Sequence, residues 1–158
     1  MVYGAALEKR SPVFRSVGSN PTLSAAGVVQ GFMQKMERPN FADLFSEDPK
    51  MKYGCARNLL DVARKDPTQI HPDLSFFVEL LENENKILKG TAIDIIGALA
   101  RVDSANKIDK LTGRLFGLLG AGNLIIANHA IAALTDIALA KSDYRVEITS
   151  ELLRVEHL

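Results

Sequence analysis

The sequence predicts an all-α domain of stacked helical hairpins, an α-solenoid, on three observations. Apolar residues recur at helical spacing: in DLSFFVELLEN, Leu74, Phe77, Val78 and Leu81 form one stripe of an amphipathic helix. Three segments superpose on one another: GCARNLLDVARKD from Gly54, GTAIDIIGALARVD from Gly90 and NHAIAALTDIALAKSD from Asn128. No stretch reads as a strand, because the β-branched residues also fall on helical spacing.

The elements follow from their start and stop signals. Residues 1–20 read as a polar tail in which Lys9, Arg10 and Arg15 stand among serines, with no apolar block of a secretory signal. Asn20 and Pro21 open a helix over residues 22–37 that Pro39 closes, and Asn40 caps a short helical turn over FADLFS. Asp48-Pro49 starts a helix that Pro67 stops near Lys65, and Pro72 starts the next. Further helices are predicted over 85–102, 105–119, 123–141 and 143–156, joined by ENEN, DSAN, GAGN and KSD. Gly120 is expected to end one of them in a left-handed conformation.

The three superposed segments share Ala56, Ala92 and Ala130, which lie 36 and 38 residues apart. Leu59/Ile95/Ala133, Leu60/Ile96/Leu134 and Ala63/Leu99/Ile137 keep the same step, and the segments close near Asp66, Asp103 and Asp143. The helices that follow align as Phe77/Leu115, Val78/Phe116, Leu80/Leu118 and Leu81/Leu119. A period of this length is that of hairpins that bury their apolar faces only by stacking. The small residues fit this reading. Gly54 and Gly90 occupy one column, and a glycine inside a helix costs about 1 kcal/mol against alanine, so close helix packing is the expected compensation.

These features resemble the HEAT-repeat and armadillo families over residues 48–156. The resemblance implies a right-handed α-solenoid of about three HEAT-like hairpins, with units near 48–84, 85–122 and 123–158, behind an N-terminal capping helix. The single repeat domain then covers residues 21–158. HEAT repeats usually carry a basic residue six positions after the aspartate. The corresponding positions here are Pro72, Asp109 and Thr149, with Lys110 one place further on, so the sequence departs from the family there.

Composition bounds the chemistry. The chain has 158 residues, 19 basic and 19 acidic, so nothing drives it globally toward nucleic acid or anionic lipid. No apolar run is long enough to span a membrane, and the lone cysteine allows no internal disulfide; a cytoplasmic home is expected. His71 reads as a helix-entry residue, His129 as a structural histidine and Cys55 as a small buried thiol, so no metal site or cofactor is expected. Gly120-Ala-Gly122 lacks the strand and the Gly-Lys-Ser/Thr ending of a phosphate loop. Asp61 and Asp94 fall in different columns and read as solvated carboxylates, and no catalytic residue is assigned.

The resemblance implies a non-enzymatic interaction scaffold for a protein or peptide partner, held by exposed residues on the second helices: Glu79, Lys107, Lys110, Arg114, Arg145 and Glu151. The alternative is a nucleic-acid-binding protein of the HEAT-like DNA-alkylation-repair type, with Lys107, Lys110 and Arg114 along one face. The absence of tryptophan and the 6% aromatic content weigh against it. Either a longer array or a second copy is expected to cover the last unit, and Leu152 and Leu153 are the expected self-association contacts of a homodimer.

Overall fold

The computed structural model describes residues 40–155, and within them lie six α-helices and no strand. They are α1 (Pro49–Lys65), α2 (Leu74–Leu80), α3 (Lys86–Leu99), α4 (Thr112–Leu119), α5 (Leu124–Ala140) and α6 (Arg145–Val155). A 3-10 turn at Phe41–Phe45 precedes α1. The helix predicted over 22–37, and with it the N-terminal cap, lies outside the described residues.

Local chemistry explains where the long helices start. The side chains of Asn40, Asp48, Asn85 and Asn123 accept backbone N–H groups of the turn each one opens. Asn85 takes two, from Ile87 and Leu88. The second helices are shorter than predicted because 3-10 turns occupy their entries, at His71–Asp73, Asp109–Leu111 and Ser142–Tyr144. Lys107 and Lys110 therefore sit in the connection before α4, not on it. The left-handed glycine is Gly122 (φ +72°), whereas Gly120 has φ −96°. The turn thus reverses two residues later than expected.

The long helices pack in order, α1 on α3 and α3 on α5, while α2 packs on α3 and both α4 and α6 pack on α5. Ten of the 14 residues of α3 are buried, so that helix is enclosed on nearly every side. Phe77, Ile95, Ile96, Leu99, Leu134 and Ile137 are fully buried, and each such side chain stabilises the fold by about 1.5–3 kcal/mol. Phe41 stacks on Phe76 at 5.1 Å and meets Phe77 edge-on at 5.7 Å, which clamps the first turn to α2.

Glycines set the spacing of α3 and α5. A methyl group on Gly97 would lie 2.7 Å from Cα of Ala133, so the two backbones touch there. Gly90 makes room for a side chain instead, since its missing Cβ would lie 2.8 Å from the ring of His129. Gly54 departs from the expectation. No described atom lies within 4 Å of a Cβ built on it, so close packing does not account for that glycine.

Two polar ties join the C-terminal ends of successive long helices and the residues just after them. Arg101 donates to the Arg64 carbonyl at 2.6 Å, 37 residues back. Lys141 donates to the buried Asp103 carboxylate at 3.1 Å, 38 residues back, and also to Asn106 and Asp109. Asp103 further accepts the N–H groups of Lys107 (3.1 Å) and Ile108 (2.7 Å). The cation that meets the aspartate is thus Lys141 in the following unit, not a residue six places along. Asn106 adopts φ +53°, a conformation asparagine tolerates, and this brings its amide oxygen to Lys141.

Burial pushes the Asp103 pKa up, but the Ile108 N–H, the Lys141 ammonium and the Lys107 N–H outweigh it and hold the carboxyl below its usual range. Burial also opposes the charge on Lys141, and the carboxylates of Asp109 and Asp103 raise its pKa nonetheless.

Candidate functional site

An apolar groove of about 410 Å³ runs across α1, α3 and α5. Tyr53 and Leu60 come from α1, Ile87 and Thr91 from α3, and Ile125 from α5. Tyr53 and Ile125 are exposed despite their size. Helix geometry places these side chains together. All but Leu60 are near the start of a long helix, and the long helices pack on one another in order.

Polar groups converge on the same wall. His129 Nδ1 stands 2.8 Å from Asp94 Oδ1, where an N–H on that nitrogen donates to the carboxylate. The Asp94 side chain is only 15% exposed, so it is not the solvated carboxylate expected from sequence. The pair exists because Gly90 leaves space for the imidazole. Arg57 and Lys86 complete the lining and are exposed cations. Thr91 turns its hydroxyl to the Ile87 carbonyl at 2.7 Å. Such a groove can seat an apolar side chain and offer two cations to a carboxylate beside it.

The residues predicted from sequence lie elsewhere. Glu79 and Lys107 line a second groove, of about 400 Å³, with Leu74, Val78 and Leu111 between α2 and the connection before α4. Lys110 is exposed in that connection. Arg114 pairs with Glu82 of the preceding unit. On α6, Arg145 donates to the Ala138 carbonyl at 3.3 Å and Glu151 pairs with Arg154 at 3.1 Å. Glu79 and Lys107 are therefore brought together, while Arg145 and Glu151 are engaged near their own helix. Leu152 is half-buried against the core and Leu153 is exposed.

Tyr53, Arg57, Lys86 and Ile125 carried no motif. The available signal was α5 itself, LIIANHAIAALTDIALA, whose apolar residues surround the whole circumference while part of it faces solvent. Cys55 is buried and lies 3.4 Å from the Asn40 carbonyl; burial first, then the nearby Asp43, pushes its pKa up, which keeps it a protonated thiol. Among the described residues, no group of three or more His, Cys, Asp or Glu side chains is placed to hold a metal ion, and no helix is long and apolar enough to cross a membrane. Comparison with protein-family models, curated proteins and solved structures gives no match.

Proposed function

We propose that this chain is a non-enzymatic helical-repeat module of the HEAT-like type, which holds a peptide segment of a protein partner in the groove across α1, α3 and α5. The ordered packing of the long helices and the ties at 37 and 38 residues support the repeat reading. One observation carries the binding mode. The groove joins apolar walls to two cations, while the one carboxylate in its lining, Asp94, is already engaged by His129. The fitting segment has an apolar side chain flanked by Asp or Glu. Glu79 and Lys107 form the competing site, which differs in its charge balance.

Selection of random peptides displayed on phage against the full chain tests this. Enriched peptides are expected to place a carboxylate beside an apolar residue. Arg57→Glu is expected to weaken their binding about tenfold, equivalent to about 1.4 kcal/mol, with Lys107→Glu close to wild type. Enrichment that Arg57→Glu leaves untouched, or that Lys107→Glu abolishes, would move the site to the second helices. Steeply salt-dependent binding of duplex DNA would replace the peptide reading with the nucleic-acid one.

A further inference from the structure

A helix at a protein surface normally turns a charged face to water, and α5 does not. Its exposed residues are Leu124, Ile125, Asn128, Ile131, Ala132, Thr135 and Leu139. Leu124 is 77% exposed and Leu139 72%. The titratable residues of this helix, His129 and Asp136, are only partly exposed and flank that face, His129 near Ile125 and Asp136 near Leu139. By contrast, the exposed positions of α1 include Arg57, Asn58, Asp61, Arg64 and Lys65.

The face is also nearly symmetric about its midpoint. Leu124, Asn128, Ile131, Thr135 and Leu139 follow one another at steps of four, three, four and four residues, so they lie along one side of the helix. About the midpoint between Ile131 and Ala132, Leu124 mirrors Leu139 and Asn128 mirrors Thr135. A two-fold axis at that point lays one helix antiparallel on its copy, with leucine on leucine at both ends. Each Asn128 amide then meets the partner's Thr135. The Thr135 hydroxyl already donates to the Ile131 carbonyl at 2.8 Å, so covering it strands no donor. The seam runs about 22 Å along the helix at 1.5 Å per residue.

We propose that a second copy of this chain docks antiparallel on this face of α5, forming an isologous dimer. The exposed positions of α1 are rich in charge, whereas a second α5 presents the same apolar residues to this face. This interface differs from the Leu152/Leu153 contact expected from sequence, because Leu152 is packed inward. It is tested separately from the peptide reading: Ile125 borders both surfaces, but Leu124 and Leu139 do not line the groove, and association is measured without a peptide.

Sedimentation of the full chain from low-micromolar to sub-millimolar concentration is expected to pass from 17.3 kDa toward twice that mass. Leu124→Glu and Leu139→Lys are each expected to weaken association at least about tenfold. Both substitutions suit the helix, with an acid in its first turn and a base in its last, and circular dichroism checks that folding is retained. The double variant places each Glu opposite a Lys of the other copy and is expected to recover association to within about threefold of wild type. Leu153→Glu is expected to leave the dimer intact. A wild type that stays monomeric overturns the proposal, as expected if another protein or another segment of this chain covers the face. Loss of the dimer in Leu153→Glu with Leu139→Lys unaffected overturns it too. Failure of the double variant to recover overturns the antiparallel register.

Discussion

Replacing Gly97 with alanine adds one methyl group where α3 meets α5, and its sign of effect tests the packing argument. In an open helix interior the change stabilises by about 1 kcal/mol, through helix propensity. Here the new Cβ would stand 2.7 Å from Cα and 3.0 Å from Cβ of Ala133. The nearest atom is backbone, so no rotamer change relieves the contact and α3 must move away from α5. Overpacking of this kind costs about 1–3 kcal/mol, which outweighs the propensity gain and leaves a net loss of about 1 kcal/mol. Gly54→Ala, on α1, is the internal control. The space around it is open, so it keeps the whole gain of about 1 kcal/mol. Urea unfolding followed by far-UV circular dichroism should thus move the two midpoints in opposite directions. In heat, 1 kcal/mol corresponds to about 2–4 °C for a chain of this size. Ala133→Gly in the Gly97→Ala background removes the 3.0 Å contact and not the 2.7 Å one, so its rescue should be partial. A Gly97→Ala variant at least as stable as wild type would refute the claim that this glycine sets the helix spacing.

Three more outcomes are expected. Asp103→Asn should destabilise by about 3 kcal/mol in thermal unfolding, because it breaks a buried charge contact and misaligns the acceptor for two N–H groups. The Asp103 carboxyl is depressed in the fold, so its stabilisation is present above the unfolded carboxylate pKa of about 3.9 and is lost as pH falls through the lower folded value. Lys141 is raised, so its share is present below about pH 10.4 and fades as pH rises through the higher folded value. Urea midpoints measured against pH should therefore show acid and alkaline losses that shrink in Asp103→Asn and in Lys141→Met respectively. Gly90→Ala should destabilise the wild type by displacing the His129 ring, yet stabilise a His129→Ala background by up to about 1 kcal/mol. Equal effects in both backgrounds would show that the glycine does not serve the imidazole.

The helices were legible because their signals are local. Asp48, Asn85 and Asn123 cap the helices that their own sequence neighbourhoods announce, and periodicity marks the faces that meet the core. The entry to α4 was not legible, and the reason is a distant partner. Asp103 takes the N–H groups of Lys107 and Ile108, and Lys141 then fixes that carboxylate from 38 residues away. Asn106, held by Lys141 in a left-handed conformation (φ +53°), cannot belong to a right-handed helix, so the helix predicted from residue 105 starts beyond it, at Thr112.

Column alignment shows which positions are equivalent, yet it is silent on what neighbouring units place across from them. Asp94 looked like a solvated carboxylate because nothing within one turn of it is cationic. Its partner, His129, comes from the next long helix, 35 residues on. The glycine that admits the ring, Gly90, was visible and was assigned to backbone contact, which is the role of Gly97 instead. Where successive hairpins pack in order, contacts between them are written in pairs of distant residues, here 35 to 38 apart. Reading such a sequence by comparing residue i with i+35 to i+38 for charge would have found Asp94 with His129 and Asp103 with Lys141, but not Arg101 on Arg64, whose acceptor is a backbone carbonyl. Asp94 and His129 join two long helices directly, and the other two contacts join the segments that follow them.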